Sequence, residues 1–180
     1  MKILKRILIL VAVIFAAIFV LALFLPSRYH VERSIVINAP VDSVFQNLNN
    51  LKKWQDWIPN NRDNDSTFVM HYSGPSEGVG AMQDWEARKL GKGAIKITKS
   101  EFGKLVEFEE SLGESNYKAN GAFLLTSSGN EVRVTWQDEG SLGYNPISRI
   151  MGRYYDRIIG GDYEKGLHNL KNICEKQPVN

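Results

Sequence analysis

The sequence has few of the residues that build metal and redox sites. It contains one cysteine, Cys174, and three histidines, His30, His71 and His168, which lie far apart along the chain. No CxxC, HxxxH or HExxH pattern occurs, so the ligand spacing of common zinc sites is absent. A lone thiol forms no internal disulfide, and on an apolar helical face it is typical of a buried structural cysteine. We therefore expect no metal site and no cofactor.

The sequence also lacks a phosphate-binding loop and an excess of charge. The glycine-containing segment 73–81 has no Gly-Lys-Ser/Thr ending, which favours a β-turn region. Three of the 22 basic residues, Lys2, Lys5 and Arg6, precede a long apolar run, which leaves 19 for the rest of the chain against 20 acidic residues. A net charge of about −1 offers no broad basic field, so we exclude nucleic acid as a partner.

The long apolar run is the most distinctive stretch near the N-terminus. Residues 7–25 form 19 unbroken apolar positions, and a helix of this length spans ~28 Å, close to the ~30 Å hydrocarbon core of a bilayer. A cleaved signal peptide is the alternative, but its apolar region is shorter and ends in a small-x-small site, which is absent here. We expect a cytoplasmic tail and transmembrane anchor over 1–26 and one domain over 27–180.

The flanking charges indicate how this anchor is oriented. Lys2, Lys5 and Arg6 precede the run without an acidic residue among them, whereas Arg28 and Arg33 follow it. The positive-inside rule then favours a single-pass protein with its N-terminus in the cytoplasm and its domain outside.

From residue 27 onward the pattern predicts an antiparallel meander. Two short helices, over 40–50 and 51–57, follow the first strand. Glycine-containing turns separate most of the later strands. The predicted strands are 30–38, 67–73, 80–88, 93–101, 104–112, 117–127 and 131–140.

Alternation along these strands predicts one dry face and one wet face. The dry face carries Trp85, Ile97, Phe108, Phe123, Leu125, Val132, Val134 and Trp136. The wet face carries Lys96, Lys99, Glu107, Glu109, Arg133, Thr135 and Gln137. The expected opposite pairs are Trp85–Ile97, Ile97–Phe108, Phe123–Val134 and Leu125–Val132.

The C-terminal stretch predicts one continuous helix over 145–176. Asn145 suits the N-cap and Pro146 the first helical position. Gly160 and Gly161 interrupt the helix; they favour close packing against the short helices near Trp54 and Trp57, with a hinge as the alternative. The apolar stripe comprises Ile147, Ile150, Met151, Tyr154, Tyr155, Ile158, Ile159, Tyr163, Leu167, Leu170, Ile173 and Cys174.

Several short motifs, in this order and spacing, resemble one protein family. They are residues 32–45 (ERSIVINAPVDSVF), Trp54, Trp57-Ile58-Pro59, Gly74-Pro75, Gly78-Val79-Gly80-Ala81, Trp85, Val134-Thr135-Trp136 and residues 159–171 (IGGDYEKGLHNLK). Over about 30–175 the chain resembles SRPBCC proteins of the polyketide cyclase/dehydrase type, in the START/Bet v 1-like superfamily. The resemblance implies an α+β helix-grip fold, in which a curved seven-stranded antiparallel sheet encloses a long C-terminal helix and a cavity for a hydrophobic ligand. It carries over no catalytic residue, because the family has no universal catalytic motif.

Aromatic and methionine side chains are the candidate lining of such a cavity, since apolar ligands are usually bound this way. The alternative is that they only fill the core. The candidate ligand-binding residues are Trp54, Trp57, Met70, Tyr72, Met82, Trp85, Phe108, Phe123, Trp136, Met151, Tyr155 and Ile158.

Among the carboxylates, Glu107, Glu109, Glu110 and Glu114 are predicted to be solvated. An enzyme would need an acid–base residue inside the pocket. The candidates that border apolar residues are Asp84, Glu86 and Asp138.

Three functions are compatible with these patterns. The first is a membrane-anchored protein that binds or transports a hydrophobic small molecule or lipid. The second is a polyketide cyclase/dehydratase-like enzyme, which a pocket carboxylate with a strongly raised pKa would favour. The third is a protein-interaction module, which a filled interior and a large exposed apolar patch would favour.

Overall fold

The structure is a computed structural model that describes residues 2–59, 66–88, 91–113 and 117–176. Glu114 and most of the polar linker between the short helices and the second strand lie outside the described residues. The elements in chain order are α1 (Lys2–Leu23), β1 (Arg28–Ile37), α2 (Val41–Asn49), α3 (Leu51–Trp54), β2 (Val69–Ser73), β3 (Met82–Ala87), β4 (Gly91–Glu101), β5 (Leu105–Leu112), β6 (Tyr117–Ser128), β7 (Glu131–Ser141), α4 (Pro146–Gly152) and α5 (Tyr155–Lys176).

The strands form one antiparallel sheet in the order β1-β7-β6-β5-β4-β3-β2. Helix α5 packs against β1, and the short helices α2 and α3 contribute to the same core. This arrangement confirms the predicted helix-grip fold. The largest fully buried core side chains include Trp57, Phe123, Ile37, Leu48, Leu51, Ile97, Leu167 and Leu170.

The strand register confirms one predicted pair and corrects three. Ile97 lies opposite Phe108, as expected. Trp85 pairs with Gly93, Phe123 with Trp136 and Leu125 with Val134. The β6–β7 turn is centred one residue later than predicted, and this moves the pairing by two residues. An even shift leaves every side chain on its predicted face, because the side-chain period of a strand is two.

The predicted continuous C-terminal helix is wrong, because the stretch folds as two helices. Asn145 caps α4 by accepting hydrogen bonds from the N–H groups of Ile147 and Ser148, and Pro146 is at the first turn, as expected. A turn at residues 153–154 then separates α4 from α5. The apolar stripe is divided with it: Ile147 and Ile158 are exposed, whereas Leu167, Leu170 and Cys174 are buried.

The interpretation of Gly160 and Gly161 is also corrected. Helix α5 runs through both residues without a break. A Cβ atom on Gly160 would lie 2.2 Å from Nη2 of Arg33, whereas one on Gly161 would meet open space. The glycine that packs near the short helices is Gly166, whose Cβ would lie 3.0 Å from Trp136 and 3.8 Å from Trp57.

Helix α1 differs from every other element in its surroundings. In the described part of the chain it is the one helix that is long and apolar enough to cross a membrane, over Ile3–Leu23. Only 6% of its most apolar window is buried within the protein, so α1 is not a core helix of the domain.

Candidate functional site

A cavity of about 550 Å³ lies between the sheet and α5. Its volume falls within the ~300–1,000 Å³ of typical small-molecule sites. All seven strands contribute to the wall, because the sheet curves around it. The lining residues are Tyr29, Trp54, Gln55, Ile58, Pro59, Phe68, Met70, Gln83, Trp85, Ile95, Phe108, Glu110, Leu112, Ala119, Trp136, Asp138, Tyr155, Ile159, Asp162 and Tyr163.

The structure brings together half of the twelve residues proposed from the sequence to bind a ligand. They come from four strands and two helices. Those in the cavity wall are Trp54, Met70, Trp85, Phe108, Trp136 and Tyr155.

Four of the remaining candidates belong to the core or the sheet but lie outside the described lining. Trp57 and Phe123 are fully buried and contact each other edge to face, with ring centroids 5.7 Å apart, in the core beneath the wall. Tyr72 packs at the edge of the core, where its hydroxyl lies 3.3 Å from Sδ of Met70. Met82 precedes Gln83 on β3, and alternation therefore directs it to the opposite face.

The last two candidates, Met151 and Ile158, lie on the surface. Met151 is on α4 and Ile158 on the first turn of α5, and both side chains are exposed. The prediction of one continuous helix placed both towards the sheet, and the break before α5 changes the direction of Met151. Ile158 lies within α5 itself, where at about 100° per residue it falls on the side opposite the buried Leu167. The neighbouring Ile159 lines the cavity instead.

The sequence analysis missed Glu110, which it predicted to be solvated. Val106 and Phe108 are buried on β5, and Glu110 follows in the same alternation and reaches the cavity. The signal was present in the sequence. Once Phe108 is assigned to the dry face, a residue two positions later must share it, while Glu107 and Glu109 must not.

Burial raises the pKa of two of the three carboxyl groups in the wall, Glu110 and Asp138. Desolvation raises the pKa of Glu110 to about 7, and the negative charge of Asp138 acts in the same direction. The pKa of Asp138 is also raised by burial, although three hydrogen bonds oppose the shift, one of them with the backbone of Glu139. The Tyr163 hydroxyl donates to Oδ2 of Asp138 at 2.6 Å, and the Tyr29 hydroxyl to Oδ1 at 3.4 Å.

The other two acid–base candidates do not line the cavity. Gln83 and Trp85 face inward from β3, so Asp84 and Glu86 lie on the other face. Glu86 forms an exposed ion pair with Lys92, at 3.1 Å. Of the three predicted candidates, Asp138 alone is part of the wall.

Two buried polar atoms in the wall have no hydrogen-bond partner among the described residues: Oε1 of Gln83 and Nε1 of Trp136. The Trp136 ring is held in place by stacking on Tyr163, with centroids 4.0 Å apart and planes 6° apart. Buried polar groups are normally paired. These two atoms are exceptions to that rule, and because they are almost completely inaccessible, a bound molecule would reach them only if a side chain moved.

Neither a metal site nor an activated nucleophile is found in the part of the chain described. No group of three or more His, Cys, Asp and Glu side chains there could hold a metal ion. Burial raises the pKa of Cys174 to about 11, so its thiol stays protonated at neutral pH. The expectation that the sequence has no Gly-x-Ser-x-Gly motif is wrong, because residues 74–78 have this pattern, but the segment joins strands β2 and β3. A nucleophile elbow requires a strand-to-helix turn.

Comparisons with solved structures show the same fold in several proteins. The Zhui aromatase/cyclase from Streptomyces sp. R1128 superposes with a TM-score of 0.61 at 11% identity, over 83% of this chain and 94% of that one. Norcoclaurine synthase from Thalictrum flavum, in complex with dopamine and hydroxybenzaldehyde, gives 0.63 at 10% identity, over 85% and 90%. The protein CV1439 from Chromobacterium violaceum gives 0.59 at 13% identity, over 82% and 98%.

Sequence comparison gives the family. No curated protein is significantly similar to the chain. Residues 28–175, which comprise most of the sequence, match the family described as polyketide cyclase/dehydrase and lipid transport. The match covers the sheet and α5, and so includes the whole described cavity wall. The chain therefore belongs to the polyketide cyclase/dehydrase and lipid transport family.

Proposed function

We propose that the protein is membrane-anchored and binds a hydrophobic small molecule or lipid in the cavity between the sheet and α5. The observation that carries this proposal is the cavity itself, about 550 Å³ in volume and lined mainly by aromatic and aliphatic side chains. Burying apolar ligand surface there gains roughly 25 cal/mol per Å². In this proposal residues 1–26 form the cytoplasmic tail and the single membrane span, and 27–180 form the binding domain outside.

The charged side chains of the cavity wall restrict which ligands can bind there. Glu110, Asp138 and Asp162 contribute carboxyl groups, and no Lys, Arg or His occurs among the described lining residues. An anionic head group would therefore meet like charge in a desolvated site. We infer a neutral apolar ligand with a small polar end that can bond to Gln83 and Trp136 once a side chain has moved.

Native mass spectrometry of the full chain, released from detergent micelles, tests the proposal. We expect a discrete bound mass that is lost on denaturation. Ala119→Phe should remove it, because Ala119 is buried in the cavity wall. Ala122→Phe is the matched control, since Ala122 pairs with the outward-facing Glu107. Failure of the wild type to carry or take up any of a panel of neutral lipids would contradict the proposal.

A second candidate function is acid–base catalysis on the bound molecule, and the raised pKa of Glu110 favours it. A carboxyl group that titrates near neutral pH is suited to proton transfer. In a cyclising dehydration, the carboxylate would take a proton from a carbon between two carbonyls. The enolate would attack a further carbonyl carbon of the same chain and close the ring, and the alkoxide formed from that carbonyl would take the proton back as a hydroxyl. The carboxylate would then remove the second proton from the attacking carbon, a C=C bond would form as the hydroxyl departs, and the departing hydroxyl would take this proton and leave as water.

Glu110→Gln separates the two functions. A synthetic aryl poly-β-ketone thioester is the probe, and loss of water from it is followed by mass spectrometry. Under the catalytic hypothesis the wild type converts the probe, whereas the variant still binds it and converts it far more slowly. Equal conversion by both proteins, or none by the wild type, would leave binding as the function.

A further inference from the structure

An apolar patch, which we call the α4 face, lies on the surface at the start of the C-terminal stretch. Tyr144 is 88% exposed and Ile147 71% exposed, and three further apolar side chains extend the patch into α5. Large contiguous apolar patches on a soluble surface usually mark an interaction site. The members of the α4 face are Tyr144, Ile147, Met151, Tyr154 and Ile158.

Contacts with α1 fix where this face lies. Ile150, on the inner side of α4, borders a small crevice together with residues 18–25 at the end of α1. The buried Arg149 side chain donates hydrogen bonds to the carbonyl oxygens of Leu23 and Leu25, and its Nε donates to that of Gly143, at 2.9 Å. It thereby satisfies carbonyls that the end of a helix leaves unpaired. Helix α4 is thus attached to the last turns of α1.

If α1 spans a bilayer, its contacts with α4 determine how deep α4 lies in the membrane. Ile18 precedes the end of the apolar run at Leu25 by seven positions, which is ~10 Å of helix. A helix packed against this part of a span lies within ~10 Å of the hydrocarbon boundary. Amphipathic helices that bind membranes are buried to a similar ~5–10 Å.

The side chains around the face fit the same surface. Tyr144 and Tyr154 have the amphipathic rings that are enriched at membrane–water interfaces. Arg153 and Arg157 are exposed beside the face in sequence, and the exposed Arg28 lies opposite Ser141 at the end of β7. Helix α4 itself carries no acidic residue. The nearest acid in sequence, Asp156, is paired with Arg33 at 2.7 Å. The face is therefore apolar with a basic rim, complementary to anionic head groups.

We propose that the α4 face lies in the bilayer interface and forms, with α1, a two-part membrane attachment. The inference depends on the proposed membrane span. One consequence concerns the cavity: Tyr155 and Ile159, which line it, directly follow Tyr154 and Ile158 of the α4 face, where the chain enters α5. The cavity wall is then held against the membrane surface, where a hydrophobic ligand can exchange without crossing water.

Depth measurement by spin labelling tests this. The full chain is placed in nanodiscs of phosphatidylcholine and phosphatidylglycerol, with a nitroxide on Ile147→Cys or Tyr154→Cys. Thr126→Cys, exposed on β6, is the aqueous control, and Val13→Cys, in the middle of α1, is the bilayer control. Cys174 is buried and stays unlabelled. Collision rates are measured with oxygen, which partitions into lipid, and with a water-soluble nickel chelate.

We expect the ratio of oxygen to nickel collisions at residues 147 and 154 to be several-fold higher than at residue 126. If the ratios at residues 147 and 154 equal that at residue 126 while residue 13 lies in the bilayer, the α4 face does not contact lipid. The proposal for the α4 face would then be overturned, and the membrane span would remain. An aqueous ratio at residue 13 would overturn the span and this inference together. Labels at 147 and 154 that are shielded from both reagents would indicate a protein contact, such as a second copy, and would also overturn the lipid assignment.

Discussion

The two halves of the C-terminal stretch have similar apolar spacing and opposite surroundings. In the second half, Leu167, Leu170 and Cys174 are almost completely buried. In the first half, Ile147 and Ile158 are more than half exposed. Periodicity therefore predicts that an apolar face exists, but not what covers it.

The partner of each half explains the difference. The second half of α5 lies over the concave core, where Leu167 and Leu170 meet the aromatic cluster of the sheet and short helices. In the first half, Tyr155 and Ile159 pack against a smaller buried cluster, and α4 meets the end of α1. One half is stabilised by the protein core, and the other has apolar surface left for a different environment.

The largest effect expected from this contrast is on stability. Leu170→Ala should lower the free energy of unfolding by about 2–5 kcal/mol, because it leaves a cavity in a packed core. Ile147→Ala, the matched change in the open half, should alter it by less than about 0.5 kcal/mol. Denaturant titration of the full chain in micelles, followed by circular dichroism, measures both. Similar values for the two variants would contradict the assignment of one half to the core.

A similar contrast between an enclosed and an exposed position occurs on β5. Glu110 faces the cavity, and Glu109 faces out. The pKa of Glu110 is about 7 in the folded protein and about 4.5 when unfolded. The folded state therefore binds the proton more tightly. The stabilisation that the folded protein gains from this proton is complete below pH 4.5 and is lost as the pH rises to 7. At ~1.4 kcal/mol per pKa unit the loss is about 3 kcal/mol.

Glu110→Gln should remove most of this dependence, so that the variant becomes more stable than the wild type above pH 7. Asp138, whose pKa is raised by the same cause, leaves a residual slope of the same sign. Glu109→Gln changes the net charge equally and should keep the wild-type profile. Unfolding free energies measured from pH 4 to 8 provide the comparison, and parallel profiles for all three proteins would place Glu110 in water.

Most of the fold could be predicted from the sequence, because alternation and turn residues act locally. Even where a turn centre was misplaced, as between β6 and β7, the faces were retained. Glu110 was predictable by the same rule, from its spacing to Phe108. The break after α4 was not, since it depends on tertiary packing: a Cβ on Gly152 would lie 2.2 Å from Leu142. The six candidates that the structure places in the cavity wall are large aromatic or sulfur-containing side chains, whereas the lining residues Ala119, Gln83 and Ile95 have no distinguishing pattern.

The smallest predicted effect compares two adjacent glycines of α5. Gly161→Ala should stabilise the protein by about 1 kcal/mol, because alanine favours the helix and its methyl group would enter open space. Gly160→Ala should give no such gain, because its methyl group would displace the Arg33 guanidinium from its ion pairs with Asp156 and Glu164, both 2.7 Å long. Thermal unfolding of the two variants measures the difference. Equal stabilisation by both would show that Arg33 moves aside freely and that its ion pairs contribute little to the junction between β1 and α5.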